Sequence, residues 1–173
     1  MHGAQRIRLE ARSGPTASYD APRPVRTHYG LSIEEGGVLV ERSAKDVVAE
    51  LFARQLAGDE SALDDLVAAH MVNHAAGPQG REGLKRILAV IDHDLGPVTV
   101  EEHHLIGEGD LVAQHLTLHG RHQGSTMPLL ADVPMSARSV AWTFIHIWRV
   151  ADGMIVEHWA CRDDTGLLDQ LQD

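Results

Sequence analysis

Three helices are predicted in the part of the chain where apolar residues recur at three- and four-residue spacing. The first begins at Ser43, which fits an N-cap with Asp46 completing a capping box, and ends near Gly58. A short second helix ends before His70, and a third spans Gly80 to Ile91. We therefore expect residues 43–91 to be mainly helical.

The hydrophobic period changes from helical to alternating after Pro97, which is typical of strands. Four strands are predicted: Val98 to a turn at 107–110, Leu111–His119, Ala137–Val150 and Met154–Arg162. A short helix over Thr165–Leu171 follows them. Because the helices are grouped before an antiparallel meander, the predicted fold class is α+β rather than a doubly wound parallel sheet.

The last two strands form a predicted hairpin whose register decides which side chains share a face. A three-residue loop over 151–153 pairs Val150 with Met154 and sets His146 opposite His158. A two-residue turn shifts the register by one and separates the two histidines onto opposite faces. The family resemblance described below favours the three-residue loop.

Both faces of this hairpin are apolar, so each is expected to pack against another part of the protein or against a partner. The face expected towards the helices and a cavity carries Trp142, Phe144, His146, Trp148, Val156, His158 and Ala160. The other face carries Thr143, Ile145, Ile147, Ile155, Glu157 and Trp159. Its simplest partner is a second copy of the chain, so we expect a homodimer through the sheet.

Residues 1–42 show no apolar period, and the stretch from Ser13 to Pro24 holds three prolines. This composition predicts a disordered or loosely docked extension, although the short apolar run over 37–40 could dock on the domain. Residues 43–173 are predicted to form one domain.

Charge and cysteine content narrow the class of partner. Residues 43–173 carry nine basic and twenty acidic side chains, which disfavours nucleic acid because such binding needs clustered Lys and Arg. A neutral or weakly polar small molecule, or no ligand, suits this charge. The single cysteine, Cys161, excludes an intramolecular disulfide, and no apolar run is long enough to cross a bilayer. We expect a cytoplasmic protein without nucleic-acid or membrane partners.

Twelve histidines favour acid–base chemistry, because the histidine pKa lies nearest neutrality. For any one of them, a surface or strand-end position is the simpler interpretation. His115 and His119 lie on one face of a predicted strand but about 13 Å apart, at roughly 3.3 Å per residue. That separation is too large for one ion, so no metal site is predicted.

Four regions carry a family resemblance: Met71–His74 with Gly80–Leu84, Leu118–Gly124, Phe144–Trp159 and Asp163–Leu171. In this order they resemble the SnoaL-like polyketide cyclases, within the nuclear transport factor two-like superfamily. The resemblance covers about Ser43 to Leu171. It implies a conical α+β barrel, with a curved antiparallel sheet and N-terminal helices around a deep apolar pocket, usually dimeric through the sheet. It also implies ring closure by intramolecular aldol condensation without a metal or an organic cofactor.

The resemblance also implies roles for particular residues. The family's acid/base histidine corresponds to His146, whereas its proton-transferring aspartate falls on Ala160. Asn73 and His74 are implied to rim the pocket mouth, where the amide could hold an enolate or carbonyl oxygen. His122 lies at a predicted strand end, from which it could reach a ligand or simply sit in solvent.

Each candidate has a structural alternative. His146 and His158, if they face each other, lower each other's pKa, so one could stay neutral and act as a general base; alternatively, one is a core histidine bonded to backbone. Asp163 could supply the missing carboxylate if the last strand bulges after Ala160, although helix capping explains it more simply. Three aromatic residues on the same face could line the pocket or could simply pack in the core: Trp142, Phe144 and Trp148.

Three functions follow from these residues. The first is a cofactor-independent cyclase or isomerase for an apolar, oxygenated, polyketide-like molecule, with His146 as acid/base and Asn73 and His158 as partners. The second is a binding or dimerisation domain without turnover, which Ala160 favours. The third is an epoxide-opening hydrolase, which needs carboxylates to activate water.

Removing residues 1–42 should leave the melting temperature within about 2 °C of the full chain, because a disordered extension buries little apolar surface. Thermal unfolding of the two proteins, followed by circular dichroism, measures this difference. A drop of many degrees would show that the extension is structural.

Overall fold

The computed structural model describes residues 31–33 and 39–172, with side chains from residue 42 onward. The helices are α1 (Ala44–Leu56), α2 (Ala62–Leu66), α3 (Gly80–Leu95) and α4 (Asp164–Leu171), with a short 3₁₀ helix at Pro128–Leu130. The strands are β1 (Leu31–Ile33), β2 (Leu39–Glu41), β3 (Val67–Asn73), β4 (Thr99–Glu108), β5 (Leu111–Arg121), β6 (Ser139–Ala151) and β7 (Met154–Arg162). Most of the predicted 1–42 extension lies outside the described residues, and its disorder stays a prediction. Within it, β1 pairs antiparallel with β2.

Five strands form one open sheet in the order β3-β7-β6-β5-β4. Neighbouring strands are antiparallel, apart from β3, which runs parallel to β7. Helix α1 packs across the sheet, and its apolar stripe joins side chains of β6 and β7 in one buried cluster. The predicted α+β class, with helices preceding an antiparallel meander, is confirmed.

The start of α1 follows the predicted capping box. The Ser43 hydroxyl accepts a hydrogen bond from the backbone N–H of Asp46 at 3.2 Å. The Asp46 carboxylate in turn accepts from the backbone N–H of Ser43 at 3.1 Å. The helix then buries the predicted stripe of Val47, Val48 and Leu51.

Strand β3 is an element that the sequence pattern does not predict. Residues 67–73 follow α2 without a turn residue and without clean alternation, so the pattern predicts no strand there, and the resemblance places Asn73 in a loop at the pocket mouth. The structure instead places Asn73 as the last residue of β3, buried and opposite His158 of β7. Parallel pairing with a distant strand decides this conformation, and the predicted loop position of Asn73 is wrong.

The β6–β7 turn corrects the predicted hairpin register. Asp152 and Gly153 form a two-residue turn with φ values of 50° and 75°, so Ala151 pairs with Met154. Both central residues need positive φ in the hairpin turn whose twist matches the strands, and an Asp-Gly sequence supplies them. The predicted three-residue loop is therefore wrong.

A β-bulge then restores the shared face of the two histidines. Val150 pairs with Ile155, but Arg149 pairs with Glu157, so Val156 is an extra residue on β7. Beyond the bulge His146 pairs with Ala160, and Trp148 pairs with His158. The predicted direct pairing of His146 with His158 is wrong, whereas their common face is correct. The two-residue turn also places Ile155, not Val156, on the buried face.

Asp94 anchors a loop that covers the interior. This fully buried carboxylate accepts hydrogen bonds from the backbone N–H groups of Thr126 at 2.8 Å and Met127 at 2.7 Å. It also accepts from the Thr126 hydroxyl and contacts Nδ1 of His93, both at 2.8 Å. Burial opposes the charged form, but these hydrogen bonds outweigh it and hold the pKa of Asp94 below its ordinary value. The anchored segment leads directly into Pro128–Leu130.

The outer face of the sheet presents apolar side chains to solvent. Ile145 is 49% exposed and Ile147 is 39% exposed, as the two-sided apolar pattern predicts. The homodimer inferred from this face stays a prediction. Within residues 39–172, no helix is long and apolar enough to cross a membrane.

Replacing Asp94 by Asn should lower the free energy of unfolding by about 2–4 kcal/mol. The amide keeps one acceptor oxygen but turns an NH₂ group towards donors, so at least one buried donor loses its partner. Urea unfolding measures the change. The control is Asp92→Asn on the same helix, which should be neutral or slightly stabilising because burial raises the pKa of Asp92. Equal stability of the two variants would show that Asp94 does not hold the loop.

Candidate active site

Two cavities lie on the inner face of the sheet. The large cavity, of about 340 Å³, is lined by Asn73, Arg86, Trp142, Phe144, His158 and Arg162, with further apolar residues of α3 and of the loop that Asp94 anchors. The small cavity, of about 100 Å³, is lined by His146, Trp148, Phe52, Leu84 and Leu88. Phe144 and Ile91 line both cavities, so these two side chains form the partition between them.

A chain of hydrogen bonds links the two cavities. Nδ1 of His146 lies 2.9 Å from Nε2 of His158. Nδ1 of His158 lies 3.1 Å from Oδ1 of Asn73. His158 is buried and borders the large cavity, whereas His146 is half-buried and borders the small one. We call these two residues the histidine pair.

Asn73 is held in one orientation by its surroundings. Its Nδ2 donates to the Pro78 carbonyl at 3.3 Å, and its Oδ1 also accepts from the backbone N–H of Ala75 at 3.2 Å. The side chain of Gln79 pairs with both backbone groups of Asn73 at 2.8 Å, as a neighbouring strand would. These contacts fix Oδ1 as the atom that faces His158.

The fixed amide assigns the protons of the neutral histidine pair. Because Oδ1 of Asn73 is only an acceptor, Nδ1 of His158 carries a proton and donates it. Nε2 of His158 is then an acceptor, so Nδ1 of His146 carries the proton between the rings. Nε2 of His146 keeps its lone pair and has no hydrogen-bond partner among residues 42–172.

Both members of the histidine pair are neutral at pH 7. Burial, with smaller effects from His158 and Arg162, lowers the pKa of His146 to about 3. Burial and the nearby His74 lower the pKa of His158 to about 4. Burial disfavours the charged form of each imidazole, and this effect accounts for the direction of both shifts.

Aromatic rings hold the histidine pair in place. The imidazole of His146 stacks between Phe144 at 5.3 Å and Trp148 at 5.2 Å, measured between ring centroids. Trp148 also stacks on His158 at 4.2 Å. Its indole N–H donates to Oε1 of the buried Gln114 at 3.1 Å. These contacts leave the imidazole of His146 little freedom to rotate.

Three predicted pocket residues lie away from both cavities. The ring of His74 is exposed, stacks on Trp159 at 4.3 Å and contacts Glu157 at 2.7 Å. His122 is fully buried, with a serine hydroxyl 3.1 Å from each ring nitrogen. Asp163 caps α4 by accepting from the backbone N–H of Gly166, so the capping alternative is the observed one.

No carboxylate among the described residues lines either cavity. Ala160, at the position where the resemblance places an aspartate, lines the large cavity and pairs with His146. The acid–base groups that the described part of the chain presents to the cavities are therefore the two imidazoles.

Sequence reasoning misses three residues that shape the site. Gln79 holds Asn73 through a side chain that imitates backbone, and Arg86 and Arg162 line the large cavity. None of their roles follows from hydrophobic periodicity, because each is a polar side chain whose role depends on the three-dimensional arrangement of the cavity. For Arg86 the only available signal is its position within α3, four residues before Val90 of the same cavity wall.

Comparisons with known proteins identify the family and the fold of this chain. A family model described as SnoaL-like polyketide cyclase matches residues 45–171. The crystal structure of IdmH from Streptomyces antibioticus, a candidate polyketide cyclase, is similar with 29% identity and a TM-score of 0.63, over 74% of this chain and 97% of IdmH. A comparison with curated proteins gives no match.

Two less similar structures support the fold alone. AclR from Streptomyces galilaeus, a candidate hydroxylase, has 22% identity and a TM-score of 0.62, over 74% of this chain and 83% of AclR. A nuclear transport factor two-like protein from Burkholderia thailandensis has 18% identity and a TM-score of 0.60, over 76% of this chain and 99% of its own length. The chain belongs to the SnoaL-like polyketide cyclase family and has the nuclear transport factor two-like α+β fold.

Proposed function

We propose that this protein is a cofactor-independent cyclase or isomerase that moves protons on an apolar, oxygenated, polyketide-like molecule. The observation that carries the proposal is the neutral His146, whose ring borders the small cavity and whose Nδ1 bonds to His158, while its Nε2 has no hydrogen-bond partner among the described residues. A positioned imidazole of this kind can act as a general base.

In the proposed reaction, Nε2 of His146 removes a proton from a carbon that lies between two carbonyl groups. The resulting enolate carbon attacks another carbonyl carbon of the same molecule, so one carbon–carbon bond forms and the attacked oxygen becomes an alkoxide. The alkoxide takes the proton back from Nε2. Isomerisation uses the same first step, followed by return of the proton to a different carbon. Electrons and protons balance within the substrate and one imidazole.

The low pKa of His146 restricts the substrate. A base with a pKa of about 3 removes protons effectively only from acidic carbons, such as those between two carbonyls. In an apolar cavity the enolate lies next to the new imidazolium, and their attraction stabilises both charges. This pairing offsets the burial that keeps the free imidazole neutral.

His158 and Asn73 act as positioning residues. As His146 gains a proton, its Nδ1–H donates more strongly to Nε2 of His158, and the Nδ1–H of His158 donates to Oδ1 of Asn73. A third group that orients the base is common in catalytic arrangements of this kind. The two residues keep the lone pair of His146 on Nε2.

Ala160 favours a second candidate function, which is binding without turnover. The position that the resemblance assigns to an aspartate holds a methyl group here, and the described cavity lining supplies no other carboxylate. The lack of a carboxylate in the described cavity lining also disfavours an epoxide-opening hydrolase, because such an enzyme needs carboxylates to activate water.

Replacing His146 by Gln should lower kcat/KM by about 10²–10⁴-fold, because the general base is lost while hydrogen bonding is partly kept. The substrate is a β-diketone tethered to a distal ketone, and two signals are followed by NMR. The first is deuterium incorporation at the carbon between the carbonyls, and the second is ring closure.

The matched control for this test is His70→Gln, because His70 is exposed on β3 and lines neither cavity. This variant should retain the full rate. Unchanged deuterium incorporation in His146→Gln would contradict the role of His146. Wild-type protein that binds the diketone but exchanges no proton would favour binding without turnover.

The pH dependence of catalysis should reflect the lowered histidine pKa values. Because the base must be deprotonated, kcat/KM should rise with pH through an acid limb well below 6.5 and stay level above about pH 5. An acid limb centred near 6.5 would point to an exposed histidine instead.

The same shifts predict how stability depends on pH. Between pH 6.5 and 4 the unfolded chain binds more protons at these histidines than the folded chain does. The free energy of unfolding should therefore fall as the pH falls, by up to about 1.4 kcal/mol per pH unit for each histidine. His146→Gln should show a shallower slope in urea unfolding across this window, and an unchanged slope would contradict the assigned burial.

A further inference from the structure

The large cavity carries a charge opposite to that of the whole chain. The chain has 25 acidic and 15 basic side chains. Yet the described residues that line the large cavity include two arginines, Arg86 and Arg162, and no aspartate or glutamate. The rest of the lining is mostly apolar and includes Ile87, Val90 and Phe144.

Arg86 has no counterion among residues 42–172. It is exposed on α3 at the edge of the large cavity and makes no hydrogen bond or ion pair there. The preceding residue, Lys85, has the usual surface arrangement, with its ammonium 2.7 Å from Asp64 and 2.9 Å from Glu82. The difference between these neighbours marks Arg86 as a cation directed to the cavity rather than to the protein's own carboxylates.

Arg162 is held beside the same cavity by two contacts. Its Nη2 lies 2.9 Å from a carboxylate oxygen of Asp164, and its guanidinium carbon lies 5.4 Å from the centre of the Trp142 ring. A guanidinium has five N–H donors, so these contacts leave donors available to a ligand. The side chain is one-third exposed, so it lies at the mouth rather than in the depth of the cavity.

We propose that the large cavity binds an amphipathic acid, with its apolar body between α3 and the sheet and its carboxylate at Arg86 and Arg162. Arginine suits this role because its planar donors match a carboxylate in two-point contact. The cavity, at about 340 Å³, is at the small end of ligand pockets and fits a body of two or three fused rings. That this acid is also the substrate rests on the proposed function, and it requires the reactive carbon to reach His146 past the partition formed by Phe144 and Ile91.

The carboxylate would also act on the base. Arg162 contributes, after burial and His158, to the lowered pKa of His146. A carboxylate bound at Arg162 compensates this positive charge, so it should raise the pKa of His146 towards its ordinary value. A substrate that carries the acid therefore strengthens the base that acts on it, whereas its neutral ester does not.

The binding test compares naphthoate with methyl naphthoate, which differ in the charge of one group. Isothermal titration calorimetry at pH 7 and low salt gives the affinity of each for the full chain. We expect wild-type protein to bind the acid at least tenfold more tightly than the ester, and added salt to reduce this preference. Equal affinities in wild-type protein would overturn the proposal.

Arginine variants test whether the preference for the acid over the ester depends on Arg86 and Arg162. In the double variant Arg86→Gln/Arg162→Gln the acid should lose about tenfold or more in affinity, while the ester should bind as before. The matched control Lys85→Gln removes the same charge from the adjacent position and should keep the preference. Loss of both ligands in the double variant would indicate a collapsed cavity, so the single Arg86→Gln variant, at an exposed position, is measured as well. A preference that survives in the double variant would overturn the proposal.

The outcome for binding is separable from the outcome for catalysis. His146→Gln should keep the preference for naphthoate, because His146 lines the small cavity only. If the acid preference holds but no diketone exchanges its proton, the proposed function fails and the binding site stands. If diketones turn over without any preference for a carboxylate, the binding site fails and the proposed function stands.

Discussion

The geometry of the site depends on the pairing of β6 with β7 and on one extra residue, Val156, in β7. The two-residue turn by itself places His146 and His158 on opposite faces of the sheet. Val156 adds one residue to β7 and reverses this parity, so both rings face the interior. Neutrality, stacking and access to the cavities all follow from that shared face. The bulge is therefore a functional feature of the sheet.

The second constraint is the direction of the hydrogen bonds from Asn73 to His146. An amide oxygen cannot donate, so the orientation of one asparagine decides where each proton of the histidine pair lies. No charged group takes part in this chain. The arrangement differs from a base oriented by a carboxylate, because nothing negative raises the pKa of the imidazole before a ligand arrives. Such a site suits acidic carbons and excludes reactions that need a strong resting base.

Local sequence patterns predict most of the fold but few of the side-chain contacts within the site. The capping box at Ser43 is correct because it rests on a spacing of three residues. The common face of His146 and His158 is also correct, but only because the bulge at Val156 cancels the error in the predicted turn. The predicted pairing of the hairpin is off by one residue at the turn and by two beyond the bulge, because alternation reports the face of a residue and not its partner. The contacts of Asn73 and the placement of Arg86 depend on residues far away in the chain, and no local period records them.

The contacts of Gln79 have a consequence for substitutions in the wall of the large cavity. The amide of Gln79 hydrogen-bonds to the backbone N–H and C=O of Asn73, as a neighbouring strand would. These two bonds fix the end of β3 just before residues 75–78. Those four residues form part of the wall of the large cavity. Within this wall, Ala75 and Pro78 contact Asn73 through backbone atoms, so these contacts do not depend on their side chains. Side-chain substitutions there can therefore change the shape of the cavity while the orientation of Asn73, and with it the tautomers of the histidine pair, is kept.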